Sequence, residues 1–152
     1  MGAAYFYHLT RRPLEETLPL LLEKALQAGW RVAVRGTDPD RMEWLDAKLW
    51  QGAEDTFLPH GLAGRQHEAD QPVLLTTAVE MPNGANCLMT VDGAVMAPEE
   101  VMALDRACVL FDGNDQTAVQ AARSQWKALT RAGCAAQYWS EASGKWEKKA
   151  ES

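Results

Sequence analysis

Arg123, Lys127 and Arg131 stand at steps of four within a stretch, Gln116 to Ser140, that contains no Asp or Glu. At 3.6 residues per turn this spacing stacks the three cations along one side of a helix. Trp126 lies next to them, so an aromatic face accompanies fixed positive charge. Such a set can hold an anionic group by charge-assisted hydrogen bonds while the ring covers an apolar neighbour. The charge balance of the chain makes the set informative. Residues 1–115 hold 9 Lys/Arg against 18 Asp/Glu, whereas residues 116–152 hold 6 against 3. The segregation predicts a docking surface for an acidic partner. A solvated helix face has the same spacing, so spacing alone does not name the ligand.

Other chemistries leave no trace. The first strand–helix turn reads His8-Leu9-Thr10-Arg11-Arg12-Pro13, without glycine. A dinucleotide fingerprint needs glycines there, and a phosphate loop needs Gly-Lys-Ser/Thr. Neither occurs in the chain, so no cofactor is expected. His8, His60 and His67 are not paired at metal-ligand spacings, and no Cys joins them, so no metal is expected. Asp38, Asp40, Glu43 and Asp46 read as the solvated side of an amphipathic helix. No Gly-x-Ser-x-Gly elbow appears, and no catalytic residue is proposed from the sequence.

Six tryptophans are a further signal. Trp30 and Trp44 read as partly buried helix–sheet packing. Trp50 ends the second helix and leads into a loop containing Phe57. Trp126, Trp139 and Trp146 fall in the cationic third of the chain. Aromatic rings with Arg are the composition of peptide-binding hot spots and also of single-strand stacking platforms. The acidic remainder of the molecule favours a peptide, and a net charge of −6 argues against non-specific clinging to DNA.

The elements that must position these residues follow from periodicity. Ala3–Leu9 reads as a strand. Leu14, Leu18, Leu21, Leu22 and Ala25 mark a helix that Pro13 opens and Gly29 stops. Trp30–Arg35 is a second strand. Asp38-Pro39 caps a helix buried through Met42, Leu45 and Leu49. Gln51–Gln71 is a long connection containing Phe57-Leu58-Pro59-His60-Gly61. Pro72–Thr77 and Ala85–Val91 are strands, with Pro82-Asn83-Gly84 as a turn between them. Pro98–Leu104 is a short helix and Ala107–Asp112 a buried strand. Asn114 or Asp115 caps the helix bearing the cations, and Cys134–Trp139 closes the pattern. Strands separated by helices predict a single α/β domain of three layers, a mostly parallel sheet with helices on both faces. Residues 1–140 form this domain, and residues 141–152 read as a polar tail, frayed or folding on contact.

A chain of 152 residues can bury a core without metal or disulfide support. Cys87, Cys108 and Cys134 are scattered in apolar runs and read as reduced core thiols of a cytoplasmic protein. No segment has the ~18–20 apolar residues of a membrane span. The opening MGAAYFYHLTRRP does not read as a secretory signal, because its basic residues follow the apolar run, and Phe6 stands where a myristoylation motif wants Ser or Thr.

The sequence resembles the chi subunit of bacterial DNA polymerase III holoenzyme. The resemblance rests on Leu45-Asp46-Ala47-Lys48-Leu49-Trp50, Phe57-Leu58-Pro59-His60-Gly61-Leu62-Ala63 and Gln71-Pro72-Val73-Leu74-Leu75. Phe6-Tyr7-His8-Leu9, Ala122-Arg123-Ser124-Gln125-Trp126-Lys127, Gly133 and Tyr138-Trp139 continue it, over roughly residues 4 to 140. It implies a nucleotide-binding-like topology without a phosphate loop, and a clamp-loader accessory protein with no activity of its own. It also implies an acidic partner, the C-terminal tail of single-stranded DNA-binding protein, which ends in an apolar residue and Phe. Arg123 matches the family's tail-binding arginine, with Trp126 and Lys127 as its neighbours. Trp50 and Phe57 match aromatic positions associated with that region, and Arg131 extends the stripe. The resemblance further implies a psi subunit as tether, where one exists, and leaves room for a helicase-type repair partner. DNA contact would then be mainly indirect. The rival readings are a direct single-stranded nucleic-acid-binding protein and a small nucleotide-dependent enzyme with an unfamiliar phosphate site.

Overall fold

The computed structural model describes residues 3–51, 59–141 and 146–152. Its elements run β1 (Ala3–Leu9), α1 (Leu14–Gln27), β2 (Val32–Arg35), α2 (Pro39–Trp50), β3 (Gly61–Leu62), β4 (Val73–Thr76) and β5 (Cys87–Thr90). Then follow α3 (Pro98–Ala103), β6 (Arg106–Asp112), α4 (Gln116–Arg131), β7 (Ala135–Ser140) and β8 (Glu147–Glu151). One eight-stranded sheet has the order β3-β4-β2-β5-β6-β1-β7-β8. Every neighbouring pair is parallel except β7–β8. The expected three-layer α/β architecture is the one observed.

Two apolar layers sandwich the sheet. On one face α1 and α2 bring Leu18, Leu22, Met42, Leu45 and Leu49 onto Val32, Val34, Val73 and Leu75. On the other, Val101 of α3 and Ala122 and Leu129 of α4 pack on Phe6, Leu88, Ala107 and Val109. Strands β2, β4 and β5 are buried along their whole length. Burial on both faces is why apolar residues occupy consecutive positions in them and do not alternate with polar ones. Local signals set the helix ends as expected. The Asp38 side chain accepts from the Asp40 N–H at 3.0 Å, and Asp115, not Asn114, caps α4 through the Thr117 N–H at 3.0 Å.

Two segments differ from the sequence expectation. Gly61–Leu62, within the long connection, adds a short edge strand beside β4. The closing segment, read as a polar tail frayed or folding on contact, contributes β8 against β7, with Tyr138 opposite Ala150 and Ser140 opposite Glu147. Trp146 folds back onto the first helical layer, its ring edge-on to Tyr7 at 5.4 Å. Lys148 and Lys149 pair with Glu151 and Glu147 at 3.4 and 3.5 Å. A polar composition hid the strand, because its stabilisation comes from the ladder and from one ring.

Arg35, at the end of β2, is buried with 4% exposure. Its guanidinium donates to the Ala78, Val79 and Val95 carbonyls at 3.0–3.2 Å and pairs with both Glu100 oxygens at 2.6 and 3.1 Å. One side chain thereby ties the loops after β4 and β5 to α3. The Arg35 hydrogen bonds hold the Glu100 carboxyl below the usual glutamate range.

The sheet changes direction between β1 and β6. From β1 the chain leaves to α1 on one face, and from β6 it leaves to α4 on the other, passing β1 to reach β7. The carboxyl ends of these two strands therefore border a crevice, the usual ligand position of an open α/β sheet.

Candidate functional site

Helix α4 runs from that crevice down the sheet. Ala122 and Leu129 are its buried positions, and Arg123, Lys127 and Arg131 are exposed on a neighbouring flank. Among the described residues none of the three cations forms an ion pair. Trp126 is half-buried between stripe and sheet, its ring edge-on to Phe6 at 5.3 Å and to Tyr138 at 6.3 Å. The half-buried ring thus lies between the cationic flank and the sheet.

At the upper end of this flank lies a pocket of about 280 Å³ lined by His8, Gly113, Gln116, Val119, Gln120 and Arg123. Its floor is His8 at the end of β1. The imidazole Nδ1 is hydrogen-bonded to the Tyr138 hydroxyl, and the ring stacks on Phe111 at 5.1 Å. Its other edge lies against Gly113, where a Cβ would come within 1.7 Å of His8 Cδ2. Glycine is needed here for close approach. The His8 Nε2 is buried and has no partner among the described residues. Burial raises the Tyr138 phenol pKa, and the nearby Arg123 charge partly opposes it. The site therefore joins a recess of mixed polar and apolar lining to an exposed guanidinium, with two more cations one and two turns down the helix.

A larger cavity, of about 1000 Å³, opens on the other flank of α4, between the β1–α1 turn, the loop after β5 and small α4 residues such as Ala118, Ala121 and Ser124. Size does not decide between the two. The smaller recess contains Arg123 and adjoins the unpaired cations, whereas the larger mixes Arg11, Arg12 and Arg41 with Glu15, Asp92, Asp112 and Asp115.

The structure brings together Arg123, Trp126, Lys127 and Arg131, but not Trp50. Helix α2 lies on the opposite face, over β3 and β4, whereas α4 lies over β6 and β7. Trp50 is 54% exposed and stacks on His60 at 4.2 Å. His60 is buried, its Nε2 3.2 Å from the Asp46 carbonyl and 3.2 Å from the Asp46 carboxylate, which fixes the loop to α2. Phe57 lies outside the described residues. Sequence reasoning missed His8, Gly113, Gln116, Val119 and Gln120. Counting back from Arg123 in steps of three and four reaches Gln120, Val119 and Gln116. Nothing local marks His8 or Gly113, which meet only through the pairing of β1 with β6.

Residues 1–137 match the family of the DNA polymerase III chi subunit, HolC. The chain belongs to this family. A relative from Rickettsia prowazekii (strain Madrid E), named as a probable DNA polymerase III subunit chi, is 27% identical over 85 residues. That match covers 56% of this chain and 52% of the relative, so it spans about half of each. The family match takes in β1, α1 and all of α4, and ends within β7. Strand β8 and Trp146 lie beyond it. Among the described residues no His, Cys, Asp or Glu cluster could hold a metal ion, and no helix is long and apolar enough to cross a membrane. The three cysteines are free and buried.

Proposed function

We propose that this chain is a non-catalytic accessory subunit of the DNA polymerase III clamp-loader assembly that grips the acidic C-terminal tail of single-stranded DNA-binding protein. Through this grip it couples the replicase to protein-coated single strands in the cytoplasm. The carrying observation is the recess of His8, Gly113, Val119 and Arg123 at the head of an acid-free cationic flank. A peptide ending in Phe asks for an apolar recess for its last ring and a cation for its terminal carboxylate. The acidic residues before it ask for further cations within reach, which Lys127 and Arg131 supply. A psi subunit, where one exists, would tether the chain to the clamp loader, and a repair helicase is a further partner of the same reading.

Direct binding of single strands is the second reading, favoured by Trp126 beside three cations. Trp126 is half-buried and already packs against Phe6 and Tyr138, whereas stacking platforms need a free ring face. The experiment is a calorimetric titration with an acidic peptide ending in Phe, the same peptide amidated at its C-terminus, and a naked oligonucleotide. The expected peptide dissociation constant is on the order of micromolar, about −8 kcal/mol. The amidated peptide and the oligonucleotide bind far more weakly at physiological salt. Equal affinity for oligonucleotide and peptide would overturn the adaptor reading.

A further inference from the structure

The β1–α1 turn does something that its sequence does not announce. The backbone N–H groups of Thr10, Arg11 and Arg12 converge on one oxygen, Glu141 Oε1, at 3.3, 3.1 and 3.1 Å. Glu141 follows β7 and is buried with 4% exposure, so its carboxylate has been taken almost wholly out of water. Three consecutive N–H groups aimed at one point form a concave anion receptor, and the 14-residue helix α1 begins just beyond it. The Thr10 Oγ1, in the same turn, is buried and has no partner among the described residues. Thr10, Arg11, Arg12 and Pro13 also line the cavity of about 1000 Å³. Glu141 itself does not line that cavity, so the three N–H groups point toward the end of β7, beside it.

We propose that the Thr10–Arg12 turn is an oxyanion-binding site that the chain keeps filled with its own Glu141 carboxylate. This is the position at which an open α/β sheet commonly holds a phosphate. Here the turn has no glycine, yet its amides still converge, and the anion they receive is supplied in cis. The contact has two consequences. It closes the turn to free phosphate in the native protein, and it latches the β7–β8 end of the sheet to the start of α1. An acceptor must remain, because three inward N–H groups left without one are costly, and an anion serves best. Removing the Glu141 carboxylate therefore opens a vacancy of defined chemistry, suited to a small tetrahedral oxyanion.

The test titrates inorganic phosphate, against chloride at matched ionic strength, into wild type, Glu141→Ala and Glu141→Gln, following the amide resonances of residues 10–12. In Glu141→Ala these amides shift saturably, with phosphate bound about tenfold or more tightly than by wild type, as expected for charge-assisted hydrogen bonds. Glu141→Gln, which keeps a neutral oxygen acceptor, lies between the two. Should Glu141→Ala be unfolded in chloride, recovery of its circular dichroism spectrum in phosphate but not chloride supports the site. Absence of that recovery, together with a folded Glu141→Gln that binds no phosphate, overturns it. The proposal also fails if folded Glu141→Ala shows no shift, if wild type shifts equally, or if shifts are confined to the Arg123 flank. Because Arg123 takes no part in the turn, this outcome is independent of the peptide titration.

Discussion

Replacing Arg123 with Ala removes the one guanidinium that borders the His8–Gly113 recess while leaving the packing beneath it intact. Arg123 is exposed, and Ala122 and Leu129 carry the burial of α4, so no core cavity opens. Alanine also raises helix propensity, so the fold survives. A guanidinium paired with a terminal carboxylate is worth about 1.5–3 kcal/mol, the range for hydrogen bonds to charged groups. At about 1.4 kcal/mol per decade, the acidic peptide's dissociation constant rises roughly 10- to 150-fold. Arg123→Lys keeps the charge but loses the two-pronged geometry, so its affinity falls between. Lys127→Ala costs less, about 0.2–1 kcal/mol, because an exposed cation gains little from each acidic side chain. Amidation separates contact from context: if Arg123 holds the carboxylate, Arg123→Ala barely changes the already weak binding of the amidated peptide. Calorimetry measures the affinities, and circular dichroism checks that each variant is folded. A folded Arg123→Ala that binds the free-acid peptide within about twofold of wild type, a difference of roughly 0.4 kcal/mol, refutes this placement of the tail.

Three more outcomes follow from the geometry. Trp50→Ala leaves peptide affinity unchanged within the error of the titration, since Trp50 stands on the opposite face over β3 and β4; a clear loss would mean that the peptide docks there. Gly113→Ala forces a methyl onto the His8 ring, so it lowers stability in urea by about 1–3 kcal/mol and weakens the peptide, because the recess floor must shift. Arg35→Ala removes the Arg35 donor from three carbonyls and leaves Glu100 only the Ala97 N–H among the described residues, and lowers stability by about 3–5 kcal/mol in denaturant titration. Because the Glu100 pKa is depressed in the folded state, its contribution is present above the ordinary glutamate value and is lost as pH falls through the folded value. Wild type therefore loses stability on acidification in that window, and Arg35→Ala shows a shallower acid slope.

Much of this protein was legible before any coordinates. Strands separated by helices announced a mostly parallel sheet covered on both faces, and β2, β4 and β5 are indeed buried throughout. The Asp38-Pro39 cap and Asp115 fixed helix starts, because capping is a contact between residues two or three apart. The spacing of Arg123, Lys127 and Arg131 on one flank was likewise local, a consequence of helical pitch alone. Tertiary structure decided everything that joins distant segments. It separated Trp50 from Arg123, because α2 and α4 leave the sheet on opposite faces, and the hand of each crossover is not written in either helix. It placed His8 against Gly113 through the β1–β6 pairing, more than a hundred residues apart in the chain. It turned a lysine-rich ending into β8, whose stability resides in its partner strand. It also put Glu141 at the amides of Thr10, Arg11 and Arg12, a contact between the two ends of the chain. Local sequence sets the periodicity and the caps, but an anion receptor made of backbone N–H groups has no side-chain signature, so only the folded chain reveals it.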